Sequence, residues 1–215
     1  MSSKKSGYSY FKGEKLIQYG VWELPYKNEN DWRERIKWMA ENLDKFCSEH
    51  YIDKIIVEDV PPIIENTQTV KVLSALQGCV IVICKLNNIK IDFISVPTWK
   101  NIIGIDTTHC KENKAVQKKC KLENRDYLGT YKKKVKANEK KMSIDYANKM
   151  FGINLIYKAP TSKFNQDDIA DSINIVVSQT FNNIKKYNID TIENVLNKIY
   201  DDTKNNYSKS KMGFN

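Results

Sequence analysis

The sequence predicts a mixed α/β fold in which helices flank one sheet. Two features predict it: short apolar runs bounded by turn residues, and longer segments whose apolar residues recur every three or four positions. Over the 215 residues the predicted order is β-β-α-β-α-β-α-α-α, which describes layers packed around a sheet. This length suits a single domain, which we place at residues 1–203, followed by a flexible tail at 204–215.

The first predicted elements are a hairpin and an amphipathic helix. Residues 8–11 and 16–24 are β-prone runs, and the turn between them contains Gly13. A helix follows a polar break, with Asn30 or Asp31 near its N-cap. The apolar residues of this helix recur at helical spacing: Trp32, Ile36, Met39, Leu43 and Phe46.

Two strands and a helix come next. Residues 54–60 contain an apolar run without polar alternation, which is typical of a strand buried on both faces. Residues 69–86 have helical periodicity, and residues 89–96 alternate like a strand that ends at Pro97. No apolar run approaches the roughly 18 residues of a membrane span, and the N-terminus lacks the apolar stretch of a secretory signal.

The remaining chain is predicted to be mostly helical, with a lysine-rich region at about 106–150. In order, we expect helices near 111–122 and 138–151 around a flexible connector at 127–136, a short strand at 153–157, and helices at 166–187 and 191–202.

The five cysteines have no repeated spacing and are expected to be reduced, which suits a cytoplasmic protein. His109 and Cys110 followed by Cys120 offer three candidate zinc ligands. They lack a fourth ligand and a paired spacing, so a zinc site is the less favoured interpretation.

The positive charge is concentrated in one segment. Residues 111–141 hold twelve basic and four acidic side chains, and so carry +8 of the net charge of +9. Such a concentration is typical of proteins that contact phosphate backbones, although a solvated lysine-rich surface would give the same composition. The candidate DNA-binding residues are Lys118, Lys119, Lys132, Lys133, Lys134, Lys140 and Lys141. Trp99, beside Lys100, could stack on an unpaired base, but such a tryptophan more often packs in a core.

Glu58 ends the predicted buried strand. In open α/β sheets, sites form beyond the carboxyl ends of parallel strands. Successive side chains point to opposite faces of a strand, so only one of Glu58 and Asp59 can reach such a site. Taken alone, a carboxylate here is more often the start of a turn.

A second acidic cluster begins a later helix. Asp168 and Asp171 are one helical turn apart and share a face. Helix capping by Asp167 or Asp168 is the alternative, since carboxylates stabilise a helix N-terminus. Capping needs only one carboxylate, however, and three like charges in one turn call for a cation or a basic partner.

These carboxylates are candidate metal ligands and catalytic residues. Glu58, Asp168 and Asp171 would form the set, with Asp167 as a further candidate ligand. Carboxylate oxygens favour Mg²⁺, with Mn²⁺ as an alternative, over zinc. Two such ions can activate water and stabilise the leaving oxygen in phosphodiester cleavage.

Taken in order, several motifs resemble the RuvC-type Holliday junction resolvases, in particular their phage branch. The segments that carry the resemblance are residues 2–11, Ile55-Ile56-Val57-Glu58-Asp59-Val60, the helix with Gln77-Gly78, Val96-Pro97-Thr98-Trp99-Lys100, and Asp168-Ile169-Ala170-Asp171-Ser172. The resemblance implies a ribonuclease H-like fold and Mg²⁺-dependent cleavage of four-way or other branched DNA, usually by a homodimer.

The chain departs from the family at its start. The family's first strand ends in a metal-bridging aspartate and precedes a segment like Ser2-Ser3-Lys4. Neither that central strand nor its aspartate is in this sequence, so we expect the start to be late or the chain to be a fragment. Two alternatives stay open: a basic DNA-binding protein with impaired catalysis, and another nuclease or transposase domain of the same fold.

Overall fold

The structure, a computed structural model, describes residues 3–25, 31–61, 66–108, 110–123, 125–159, 162–187 and 192–212. The chain divides into two compact units, and the single domain at residues 1–203 stays a prediction. Unit 1 comprises Met1–Trp99 and Asp168–Asn183, and unit 2 comprises Lys100–Asp167 and Ile184–Asn215. The mixed α/β class is confirmed.

The elements follow the predicted order closely in the first half. They are β1 Lys5–Lys12, β2 Lys15–Glu23, α1 Trp32–Glu49, β3 Lys54–Glu58, α2 Thr67–Leu86, β4 Lys90–Ile94, α3 Val96–Ile103, α4 Lys111–Glu123, a 3₁₀ turn Arg125–Tyr127, α5 Leu128–Phe151, α6 Asp167–Thr180 and α7 Ile192–Met212. Asp31 is the N-cap of α1, accepting a hydrogen bond from the backbone N–H of Arg33 at 2.9 Å. Asn30, the other predicted cap, lies outside the described residues.

The described strands form two sheets where the sequence predicted one. β1 pairs with β2 in an antiparallel hairpin, and β3 pairs with β4 in parallel. β3 is a short apolar strand, as predicted, with Ile55 opposite Ile91 and Val57 opposite Phe93.

Strand β1 lies between helices α1 and α6 because its side chains alternate between two faces. Tyr8 and Tyr10 contact Phe46 of α1, with ring centroids 5.3 and 6.0 Å away. On the other face, the Ser9 hydroxyl donates to the Ser172 carbonyl of α6 at 3.0 Å.

Gly7 is the point of closest approach between β1 and α6. A Cβ atom at this position would lie 1.9 Å from the carbonyl oxygen of Asp168 and 2.9 Å from the nitrogen of Ile169. Because both neighbours are backbone atoms, only glycine fits here. This contact holds the first turn of α6 against the amino end of β1.

The segment that leads into β3 contacts the carboxyl end of β1. The Tyr10 hydroxyl, near the carboxyl end of β1, donates to the carbonyl oxygen of Tyr51 at 3.0 Å. Tyr51 comes shortly before the first residue of β3, Lys54.

Helix α2 packs against both α1 and the second sheet. Val72 and Leu76 meet Ile36 and Met39 of α1, and a second cluster joins α2 to β3: Val80, Ile83, Cys84, Cys47, Val57 and Ile89. Among the described helices, α2 alone has the length and composition to cross a membrane, with a mean hydropathy of 1.7 and 28% of its span buried. This helix does not stand out as an uninterrupted apolar run, so the sequence did not predict it as a candidate span.

The second half of the chain corrects three predictions. The predicted connector at 127–136 is helical, because Tyr131 and Val135 are buried at successive turns against Cys120 and Leu196. Residues 153–157 do not form the predicted strand. Helix α6 ends at Thr180, well before the predicted end at 187.

The predicted flexible tail is helical as far as Met212. The Lys204 ammonium donates to Glu123 at 2.8 Å, and together with the Tyr200 hydroxyl it lowers the pKa of Glu123 to about 2. The Tyr207 hydroxyl donates to Asp126 at 2.9 Å. The polar composition of this segment concealed these contacts; residues 213–215 lie outside the described chain.

A buried ion pair ties α3 to α5 in unit 2. Glu139 is 3% exposed and accepts from the Lys100 ammonium at 2.9 Å. Its other oxygen accepts from the backbone N–H and the hydroxyl of Thr107, both at 2.9 Å, and from the Thr108 hydroxyl. Burial by itself would raise the pKa of Glu139. Lys100 and the two threonine hydroxyls lower this pKa by more than burial raises it, so the net shift is downward.

We expect Gly7→Ala to lower the free energy of unfolding by about 1–3 kcal/mol, the usual cost of overpacking, since the added methyl group meets backbone that has no room to move. Gly78, inside α2, is the matched control because a Cβ there meets nothing within 4 Å. Gly78→Ala should stabilise by about 0.5–1 kcal/mol through helix propensity. Urea denaturation measures both, and equal effects would contradict the close contact.

We expect Lys100→Met to destabilise by about 3–5 kcal/mol at neutral pH, because it leaves a buried carboxylate without its cation. The lowered pKa of Glu139 contributes stability above its unfolded pKa that is lost as the pH falls through the folded pKa. The variant's deficit should therefore shrink as Glu139 is protonated. Urea denaturation at several pH values measures this, with Lys114→Met on the exposed face of α4 as control. A pH-independent deficit would argue against the ion pair.

Candidate functional site

Unit 1 contains a cavity of about 1060 Å³. It is lined by all of β1 and all of β3, and by parts of three helices, α1, α2 and α6. Glu58, Asp168 and Asp171 all line it.

Of the two neighbouring carboxylates at the end of β3, only Glu58 lines this cavity. Asp59 accepts from its own neighbour, the backbone N–H of Val60, at 2.8 Å and from the Gln77 amide at 3.3 Å. The alternation of strand side chains predicted this separation.

Asp168 and Asp171 lie on the cavity face of α6, one turn apart, as the sequence predicted. The Lys5 ammonium lies 3.4 Å from Asp168, and both side chains are partly exposed. Because Gly7 holds the first turn of α6 against β1, this pair lies at the amino end of β1. Glu58, at the carboxyl end of β3, lines the same cavity, and we call these three carboxylates together the acidic end of the cavity.

Asp167, the further candidate ligand, has a different environment. It forms an ion pair with Lys140 within unit 2, and its side chain is 13% exposed. It is not among the residues that line the cavity of unit 1. Asp167 and Lys140, predicted as a metal ligand and a phosphate contact, are therefore ion-pair partners of each other.

The acidic end does not by itself form a metal-binding group. Among the described residues, no three His, Cys, Asp or Glu side chains stand close enough together to hold a metal ion. Glu58, Asp168 and Asp171 share a cavity wall but not a coordination sphere. The carboxylate donors suit Mg²⁺ chemically, yet the described set does not complete a site for it.

The described cysteines likewise belong to no group of three ligands that could hold a zinc ion. His109, the remaining candidate zinc ligand, lies outside the described residues. All five cysteines are free thiols, as predicted. Burial raises the pKa of Cys47 to about 11, and it also raises the pKa of Cys84, Cys110 and Cys120. These thiols are therefore protonated at neutral pH and are poor nucleophiles.

The candidate DNA-binding lysines differ in their surroundings. Five of them are exposed on α4 and α5, namely Lys118, Lys119, Lys132, Lys133 and Lys141, and Lys134 is half-buried. Lys119 lies over the Tyr200 ring at 4.7 Å. Lys141 pairs with Asp145, whose hydrogen bond raises the pKa of Lys141. Of the exposed five, Lys119 and Lys141 have these partners, so Lys118, Lys132 and Lys133 are the best placed to meet phosphate groups.

Two aromatic residues, Trp99 and Phe164, differ in their exposure to solvent. Trp99 is fully buried, which confirms the packing interpretation. Phe164, which no sequence pattern had singled out, is 60% exposed in unit 2. The ammonium groups of Lys158 and Lys163 lie 4.8 and 5.3 Å from its ring centre. The dipeptide Lys163-Phe164 was the available sequence signal.

No protein-family model and no curated protein matches the chain. Among solved structures, it is similar to T. thermophilus RuvC in complex with a Holliday junction substrate, with 10% sequence identity, a TM-score of 0.49, and coverage of 82% of this chain and 86% of that chain. It is also similar to a second Thermus thermophilus RuvC structure, with 13% identity, a TM-score of 0.49, and coverage of 82% and 87%. Similarity at this level assigns no activity to the chain.

Proposed function

We propose that the protein is a structure-specific endonuclease of ribonuclease H-like fold that cleaves Holliday junctions or other branched DNA, with Mg²⁺ or Mn²⁺ as cofactor. The observation that supports this best is the acidic end of the cavity. A strand-end carboxylate, Glu58, and a helical pair, Asp168 and Asp171, come from distant parts of the sequence and line the same cavity.

The acidic end has a clear electrostatic role in this proposal. Partly exposed carboxylates at one end of a cavity attract cations and repel phosphates, so a phosphodiester approaches only where positive charge compensates. Lys5 supplies one such charge beside Asp168. A divalent cation would supply more, although the described carboxylates do not complete a site for one.

Unit 2 has the composition of a DNA-binding surface. Exposed lysines on α4 and α5 would contact the phosphate backbone and release counterions, which makes affinity salt-dependent. Phe164, flanked by Lys158 and Lys163, offers a ring on which an unpaired base of a branched substrate could stack. The homodimer that the resemblance implies stays a prediction.

A second candidate function is DNA binding without cleavage. The separation of Glu58 from Asp168 and Asp171 favours it, since no described group of three acids could hold a metal. This candidate predicts junction binding that weakens with salt and no product in Mg²⁺ or Mn²⁺. A nuclease of another specificity would instead cut linear and branched DNA alike.

We expect Glu58→Gln to lower the cleavage rate of a labelled four-way junction in Mg²⁺ by about 100-fold or more, the size typical of losing one group that stabilises charge in a transition state. Asp59→Asn is the matched control, because Asp59 is adjacent in sequence but turned toward Gln77, and it should cleave normally. EDTA should abolish the activity. If the unmodified protein and Glu58→Gln both leave the junction intact in Mg²⁺ and Mn²⁺, the nuclease proposal is wrong.

We expect replacement of Lys118, Lys132 and Lys133 by Gln to weaken junction binding. The slope of log affinity against log salt should fall by about 0.9 for each replaced lysine that neutralises a phosphate group. The control replaces Lys37, Lys45 and Lys85 of α1 and α2, which are also exposed. Fluorescence anisotropy at several salt concentrations measures both. Equal slopes for the two variants would show that these lysines of unit 2 do not bind the phosphate backbone.

A further inference from the structure

Phe164 belongs to a hydrogen-bonded loop in unit 2. The stretches 155–159 and 162–166 are joined where the backbone N–H of Gln166 donates to the carbonyl oxygen of Ile156 at 3.0 Å. The N–H of Ile156 donates in return to the side-chain oxygen of Gln166 at 2.8 Å. This reciprocal link closes the loop two residues away from Phe164, whose ring is 60% exposed.

Asn165 fixes the backbone next to Phe164. Its side chain is buried, and its amide oxygen accepts from the backbone N–H of Lys158 at 2.8 Å. Its amide nitrogen donates to the carbonyl oxygen of Ala159 at 2.6 Å. A buried amide whose donor and acceptor are both satisfied keeps one orientation, because any other would leave polar atoms without partners. The exposed ring of Phe164 is therefore presented by ordered backbone.

Two ammonium groups adjoin the Phe164 ring. Those of Lys158 and Lys163 lie 4.8 and 5.3 Å from its centre, and both side chains are exposed. A cation–π contact at an exposed site is weak, and the stacking of a nucleobase on an aromatic ring is stronger. A base can therefore replace an ammonium group on the ring, and the displaced ammonium group can then pair with a phosphate group of the same strand.

The charge around the ring indicates which ligand it suits. Residues 100–167 hold sixteen basic and seven acidic side chains, so an anionic ligand is attracted to this part of unit 2. A ligand that combines a planar ring with negative charge on either side of it complements Phe164 and its two lysines. An unpaired nucleotide within a strand has this form. A base inside a duplex has both faces covered by its neighbours and offers no free face to the ring.

We propose that Phe164, Lys158 and Lys163 form a binding site for one unpaired nucleobase of a DNA strand and its adjoining phosphates, with Asn165 as the positioning residue. This site rests on the DNA binding proposed above and deepens it, because it selects DNA that contains an unpaired base over continuous duplex. Binding at this site requires neither a metal ion nor cleavage.

A double-mutant cycle on the full chain tests the contact between ring and base. One labelled duplex contains a single unpaired adenine, and a second contains an abasic nucleotide at the same position. Fluorescence anisotropy in EDTA measures the affinity of the original protein and of Phe164→Ala for both duplexes. Leu122→Ala is the matched control, because it removes another exposed apolar side chain of unit 2.

We expect Phe164→Ala to weaken binding of the unpaired-adenine duplex by about fivefold or more, the loss typical of one stacked base. Its affinity for the abasic duplex should not change, because no base is present to stack. Leu122→Ala should bind both duplexes normally. Equal losses of Phe164→Ala for the two duplexes overturn the proposal, since the ring would then contact something other than the base. Equal affinity of the original protein for the two duplexes also overturns it.

Asn165→Ala tests the positioning role. Without the two amide hydrogen bonds the ring is no longer held in place, so the preference for the unpaired-adenine duplex over the abasic duplex should shrink. A general loss of stability, measured by thermal unfolding, would not change this preference in the folded protein. An unchanged preference contradicts the role of Asn165.

The outcome is separate from that of the cleavage assay. Base-dependent binding by a protein that never cuts DNA supports this site and contradicts the nuclease proposal. Cleavage that depends on Glu58, by a protein whose binding is the same with and without the unpaired base, supports the nuclease proposal and overturns this site.

Discussion

The close contact between Gly7 and the first turn of α6 is the constraint on which the rest of unit 1 depends. A side chain at position 7 would collide with the Asp168 carbonyl, so the approach of helix to strand exists only because the residue is glycine. This contact fixes the rotation and depth of α6, and with them the direction of Asp168 and Asp171. The alternate face of β1 is meanwhile held by Phe46, so the strand is clamped from both sides.

The three acidic residues Glu58, Asp168 and Asp171 line one cavity. Glu58 reaches the cavity from β3, and the pair on α6 reaches it from across β1. Among the described residues they do not form a group of three that could hold a metal ion.

Unit 2 is held by a different kind of interaction. Glu139 is a buried carboxylate within the most basic segment of the chain, and Lys100 and two threonines satisfy it. The segment's remaining charge is distributed on the helix surfaces, where Lys118, Lys132 and Lys133 are exposed. A lysine-rich sequence thus contains both structural cations, such as Lys100 and Lys140, and cations available to a partner, and only their neighbours tell them apart.

The sequence by itself determined the features that depend on local periodicity. The i, i+3 spacing placed Asp168 and Asp171 on one face, strand alternation separated Glu58 from Asp59, and Asp31 capped α1, because each follows from geometry over a few residues. Tertiary structure decided the rest. The segment at 127–136 is helical because Tyr131 and Val135 are buried. The segment predicted as a flexible tail is held by the hydrogen bond from Tyr207 to Asp126. Asp167 pairs with Lys140 and does not line the cavity. Those outcomes depend on partners distant in sequence, whose identity no local pattern contains.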